Sequence, residues 1–279
     1  MRTTKSVSTE KPSKFETKKS LGQHFLNGKR VPALMAEAGN VTKGDVVLEI
    51  GPGTGVLTRE LLLRGATVIA LEADNRAIEV LADTFKPEIA NKQLVLFHND
   101  VRALALDDLH PLITLGKYKV VANIPYYLSG HLFRAFLESE VQPTDLVFLV
   151  QREVAERIAR DKKESLLSLS VKVYGEPHYI KTIGRGNFTP PPKIDSAVIA
   201  ITGISKERLK DIREEDFFTI IHIGFASKRK QLIGNLSAVY PRESLVHIFS
   251  TLGIREDVRA EDLSLNLWLS LVEALTLHT

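Results

Sequence analysis

The chain has no cysteine. Disulfides, thiolate metal sites and a thiol nucleophile are therefore excluded. Long apolar runs are also missing: the longest, "VVLEI" and "LVFLV", fall far short of the roughly 20 residues a bilayer-crossing helix needs, so no membrane segment is expected. Neither sign of charge dominates, with a net charge of +3 over 279 residues. Any nucleic-acid reading must then rest on where the basic residues lie rather than on their total. Internal repeats are absent, and no low-complexity tract occurs beyond the N-terminus.

With 44% apolar and 25% charged residues, the composition is that of an ordinary globular chain, and the length suits one large and one small unit. Residues 1–19 are polar and rich in Ser, Thr and Lys, without an apolar face, and read as a disordered basic tail. Glu10, Glu16 and the scarcity of arginine argue against a transit peptide, and no secretory segment is legible. Basic residues gather in that tail and again in "SKRK" at 227–230, which is expected on a later helix.

From residue 45, β-branched runs alternate with helical periods, which predicts an α/β sheet with crossover helices. Strands are expected at 46–50, 67–72, 94–100, 119–124 and 146–150, with two more at "SLSVKVY" (168–174) and "SAVIAI" (196–201). Helices are expected over 56–64, 75–85 and 130–139, with Gly65 closing the first. Beyond the charged stretch 203–216 the pattern turns helical through "FFTIIHIGF", "KRKQLIGNL" and "LSLNLWLSLVEAL", placing a domain boundary near residue 205. The expected organisation is thus a tail over 1–19, a sheet domain over 20–204 and a helical domain over 205–279.

The loop "EIGPGTG" (49–55) joins a strand to a helix, where glycines let a ligand approach the backbone and the helix N-terminus offers unpaired N–H groups. A dinucleotide fits poorly, because Val56 stands where a glycine would admit the pyrophosphate and Pro52 stiffens the loop. Glu49 suits a ligand carrying a cationic amino group, such as S-adenosylmethionine. Glu72, ending the next strand, is placed to accept from a ribose diol, and Asp100, ending the third, to accept from an adenine amino group. Read singly, each favours an ordinary reading: the glycines a strand-to-helix turn, Glu72 and Asp100 solvated strand ends or caps. Together they sit at successive strand ends, on the sheet edge where ligands bind.

Asn123 falls on that same edge, in "NIPYY" (123–127). Its amide oxygen and the following carbonyls are acceptors for an exocyclic amine; Pro125 fixes the turn through Ile124, and Tyr126 is positioned to stack on a base. Such acceptors favour a pyramidal amine nitrogen whose lone pair is available for methylation, with positioning and preorganised electrostatics as the main catalytic devices. No metal is required. Methylation at pyrimidine carbon 5 generally proceeds through a cysteine adduct, so the absence of cysteine leaves amine methylation. A base leaving its stack calls for a second aromatic wall, and Phe188 in "NFTPPPKIDS" is the candidate; a packed ring in a proline-rich connection is the alternative.

Taken in order, "SLGQHFL" (20–26), "EIGPGTG", "NIPYYLS", "FTPPPKIDSAV" and "GFASKRKQLIGNL" (224–236) resemble the motifs of the KsgA/RsmA ribosomal RNA adenine dimethyltransferases, from about Lys19 to the end. The resemblance implies a Rossmann-like S-adenosylmethionine-dependent methyltransferase domain with a small all-helical C-terminal domain. It implies dimethylation of two adjacent adenosines near the 3′ end of small-subunit rRNA, by a cytoplasmic and monomeric enzyme acting on an assembling subunit. Carried over by motif, His24, Leu26, Glu49, Gly51, Gly53, Glu72, Asp100 and Asn123 hold the cofactor. Asn123, Ile124, Pro125, Tyr126 and Phe188 hold the adenine, while Lys228, Arg229 and Lys230 contact RNA phosphates. His24 replaces the asparagine of many members and is assigned to binding only. The related Erm family of large-subunit rRNA methyltransferases, a non-catalytic assembly or transcription factor on the same fold, and a small-molecule methyltransferase are the competing readings.

Overall fold

Four β-branched runs and one adjoining strand build the parallel centre of a single sheet. In the computed structural model, which describes residues 24–103, 113 and 117–277, these are β2 (Val46–Ile50), β3 (Thr67–Glu72), β4 (Leu94–His98), β5 (Tyr118–Asn123) and β6 (Asp145–Gln151). Two antiparallel strands, β7 (Glu176–Ile183) and β9 (Ser196–Thr202), complete the order β4-β3-β2-β5-β6-β9-β7. The order reverses at β2, which pairs in parallel with β3 on one side and β5 on the other. In open α/β sheets such a reversal opens a crevice at the carboxyl ends of the strands.

Residues of β2 alternate between two cores. Val47 joins α1 (Arg30–Ala38), α2 (Val56–Leu63) and α3 (Asn75–Thr84) on one face, while Leu48 and Ile50 join α5 (Ser129–Leu137) on the other. The short α4 (Lys86–Ala90) and α6 (Arg152–Ala159) complete the crossovers. After α2, Gly65 at φ +81° turns the chain back with its N–H on the Leu62 carbonyl, the left-handed closure a glycine permits.

The stretch 168–174 is not a strand. It lies in α7 (Leu166–Lys172), because Ser165 and Ser168 form a reciprocal cap in which the Ser165 hydroxyl accepts the Ser168 N–H at 3.1 Å and Ser168 Oγ accepts the Ser165 N–H at 2.7 Å. The seventh strand of the sheet is instead β7, an exposed edge whose Pro177 and bulge near Tyr179 hide the alternating pattern. β4 also stops two residues short of the expected Asp100.

The described chain after Thr202 is helical: α8 (Glu214–Gly224), α9 (Leu232–Leu236), α10 (Arg242–Thr251) and α11 (Leu265–Leu277). Trp268 of α11 is fully buried, stacks on Phe225 at 5.7 Å and donates Nε1–H to the Ala260 carbonyl at 3.2 Å. Gly224 allows this, since a Cβ there would come within 2.4 Å of the indole. "SKRK" is not helical; it forms the turn between α8 and α9. Asn235, buried beneath, donates to the carbonyls of Gly224 at 2.6 Å and Ser227 at 3.1 Å and so pins the turn at its start. The tail over 1–19 and the first residues of "SLGQHFL" lie outside the described residues.

Candidate active site

The glycine loop leaves β2 through Gly51, Gly53 and Gly55, all at positive φ. Gly53 has a packing reason as well: a Cβ there would meet the Phe25 ring at 2.6 Å. Phe25 belongs to β1 (Phe25–Leu26), which pairs antiparallel with β8 (Phe188–Thr189) in a separate two-stranded sheet. Segments 162–164 residues apart in sequence thereby pair beside the loop. Asn27 N–H reinforces the pairing by donating to the Asn187 carbonyl at 2.8 Å. α2 starts at Gly55 without a side-chain cap, so its first N–H groups remain available beside the loop.

Glu72 is 6% exposed, and its carboxylate accepts three backbone N–H bonds: Gly53 at 3.0 Å, Ala73 at 2.9 Å and Asp74 at 2.9 Å. It holds the glycine loop to the end of β3. Asp100 is engaged differently. The guanidinium of Arg102 grips it in a bidentate pair, Nε to Oδ1 at 3.0 Å and Nη2 to Oδ2 at 2.5 Å, and these bonds hold the Asp100 carboxyl below the usual carboxylate range. The expected acceptor of an adenine amine is thus shared with a cation two residues on.

Glu49 lies beneath the loop, 1% exposed, and its Oε2 has no hydrogen-bond partner among the described residues. Burial pushes its carboxyl up to about 8, with the Glu72 charge adding to the rise and neighbouring Thr58 opposing it. A buried carboxyl oxygen without a partner beside the glycine loop is a group able to take a donor or a cation.

At the end of β5 the Asn123 side-chain amide donates to the His24 carbonyl at 3.0 Å. This orients the amide and leaves Oδ1 as an acceptor. Pro125 sits at φ −57°, and its carbonyl receives the Leu128 N–H at 2.9 Å, starting a 3-10 turn over Tyr126–Leu128. The Tyr126 ring stacks on His24 at 5.8 Å, and its hydroxyl shares a 2.6 Å hydrogen bond with Ser196 Oγ. Burial raises the phenol above its ordinary value, so it stays neutral. His24 is itself anchored, with Nδ1 donating to the Pro190 carbonyl at 2.8 Å.

These groups meet at one cleft beside the glycine loop. Of the residues expected from sequence, His24, Gly51, Gly53, Glu72, Asp100 and the whole Asn123–Tyr126 turn line it together. Three lie outside the lining. Glu49 is behind the loop, Leu26 packs inward from β1, and Phe188, 3% exposed, belongs to the core shared with Val31, Leu57 and Val198. Phe188 is therefore not a wall of the cleft: pairing with β1 turns its side chain into the protein. Sequence reasoning missed Phe25, Asn99, Arg102 and Tyr127, all of which line the cleft. The second tyrosine of "NIPYY" was the visible signal for the last of these.

Lys228, Arg229 and Lys230 are exposed in their turn. Lys228 lines a separate groove with Arg157, Lys163 and Phe225, where the helical part meets the sheet part.

A glycine loop at the reversal point of a doubly wound sheet, acids at the next strand ends and an Asn-Ile-Pro-Tyr turn facing them define the Rossmann-like methyltransferase class. The sequence profile of the family described as Ribosomal RNA adenine dimethylase matches residues 14–277, and the chain belongs to that family. It is 36% identical over 260 residues to the Ribosomal RNA small subunit methyltransferase A of Dehalococcoides mccartyi, covering 91% of this chain and 87% of the relative. Its identity to the protein of the same name from Fusobacterium nucleatum is 35% over 265 residues, covering 93% and 97%. Among solved structures, a dimethyladenosine transferase from Plasmodium falciparum superposes with a TM-score of 0.76 at 24% identity, covering 91% of this chain and 98% of that one. The 23S rRNA methyltransferase ErmE superposes at 0.73 and 23% identity, covering 90% and 99%. These two likenesses establish the fold.

Proposed function

We propose that this protein uses S-adenosylmethionine to dimethylate N6 of two adjacent adenosines near the 3′ end of small-subunit (16S) rRNA. The observation that carries this reading is Asn123: it lines the ligand cleft beside Tyr126, and its amide N–H donates to the His24 carbonyl, which leaves Oδ1 as an acceptor. The names of the sequence relatives support the small subunit as substrate.

The residues present fit the cofactor. Gly51 and Gly53 leave room at the loop, Glu72 ends β3 and Asp100 lies just past β4, and the unpartnered Glu49 oxygen lies beneath as a group able to meet a donor. When bound, S-adenosylmethionine supplies an electrophilic methyl group on a sulfonium centre. Asn123 Oδ1 accepts from the target amine and holds its hydrogens so that the lone pair stays available. Tyr126, fixed between His24 and Ser196, offers the base a flat wall that costs no reordering. The nitrogen becomes acidic once it carries a fourth substituent, so its proton leaves to water without a strong base.

In this reading residues 20–204 carry catalysis, while 205–279 present Lys228, Arg229 and Lys230 to RNA phosphates, with the tail over 1–19 adding basic charge. The enzyme acts as a cytoplasmic monomer on the assembling subunit. The test is transfer of labelled methyl to small and large ribosomal subunits from a strain lacking the modification, followed by nucleoside analysis. Dimethyladenosine confined to the small subunit is expected. Label in the large subunit would move the protein to the Erm reading, and label in neither would point to a non-catalytic or small-molecule role.

A further inference from the structure

Phe188 is in the core, so a second flat surface beyond Tyr126 must come from the cleft's own lining. Tyr126 and Tyr127 occupy successive positions of a 3-10 turn, which sends their side chains about 120° apart. Tyr126 turns inward to Ser196 and His24, whereas Tyr127 is 59% exposed while still lining the cleft. Arg102 lines the same cleft, and its side chain is 55% exposed. Asp100 holds its planar guanidinium through two bonds to one carboxylate, which fixes the plane instead of leaving it to wander. Both groups line the same cleft and both are mostly exposed.

An exposed aromatic ring and a fixed guanidinium plane lining one cleft are the two kinds of surface on which unstacked RNA bases lie. A base taken into the cleft breaks the stack of its neighbour, which then needs a platform of its own. On the reading that adjacent adenosines are the substrate, we infer that Tyr127 and Arg102 form a nucleobase clamp that holds the adenosine next to the one in the cleft. Lysine at 102 would keep the charge and lose the plane, so the clamp is specific to arginine.

The inference rests on the proposed function, and the test separates the two. A short single-stranded RNA carrying the adenosine pair is made with 2-aminopurine replacing one member, and its fluorescence and methylation are followed with wild type, Tyr127→Ala, Tyr127→Phe and Arg102→Lys. Wild type and Tyr127→Phe should quench the probe. Tyr127→Ala should lose the quenching and raise the KM for RNA about tenfold, the lower part of the range for a lost base–aromatic stack. Affinity for S-adenosylhomocysteine should stay within about twofold, which shows the variant to be folded. Arg102→Lys should fall between them. Wild-type quenching and KM in Tyr127→Ala would overturn the clamp while leaving the methyltransferase reading intact. A wild-type enzyme that neither binds nor methylates this RNA or small subunits would overturn both.

Discussion

Replacing Glu49 with glutamine tests the electrostatics beneath the glycine loop. The wild-type carboxyl has an ordinary value of 4.5 and is pushed up to about 8 in the folded chain by burial. Below pH 4.5 it is protonated whether the chain is folded or not, and pH has no effect through it. Between 4.5 and about 8 the unfolded chain releases the proton while the folded chain keeps it, so stability falls as pH rises. The slope is about 1.4 kcal/mol per pH unit, which accumulates to roughly 4–5 kcal/mol and stays constant above pH 8. Glutamine keeps the shape and cannot titrate. Glu49→Gln should therefore match wild type within about 1 kcal/mol near pH 5 and exceed it by several near pH 8, on the scale of the single-mutant extremes. Urea unfolding of the ligand-free protein at pH 5, 6, 7 and 8, with unchanged m-values, is the assay. A difference between the two proteins that does not vary with pH would refute the claim that Glu49 is held protonated.

Asn123→Ala should lower single-turnover methyl transfer by roughly 10²–10³, the size expected for a lost preorganised electrostatic group, while RNA affinity stays within a few-fold; unchanged turnover would remove the turn from catalysis. Gly53→Ala forces a left-handed φ and a 2.6 Å approach to Phe25, so overpacking of about 1–3 kcal/mol and weaker cofactor affinity are expected, and wild-type calorimetry would contradict this. Reversing the charges of Lys228, Arg229 and Lys230 should weaken RNA binding and flatten the plot of log K against log salt by about 2, at roughly 0.7 per lost phosphate contact. An unchanged slope would place the RNA elsewhere.

The central strands, the glycine loop and the Asn-Ile-Pro-Tyr turn were legible in the sequence because each is specified within a few residues. Positive φ requires glycine, a proline fixes its own φ, and a buried parallel strand is written in consecutive β-branched residues. The error at 168–174 arose where alternation suited a strand and a two-serine cap decided for helix. The missed β7 is an edge strand, where exposure removes the pattern.

The sequence by itself thus determined the sheet class, the cleft's position beside the strand ends and several of the residues that line it. Only the tertiary structure decided what those side chains face. The Asn123 amide is oriented by a carbonyl 99 residues away and His24 by one 166 residues away. Phe188 is buried because β8 pairs with β1, while Tyr127 and Arg102 stand exposed in the cleft lining. The basic "SKRK" became a turn pinned by Asn235. Each of these depends on a partner brought close by the fold, and such partners leave no local signature in the chain.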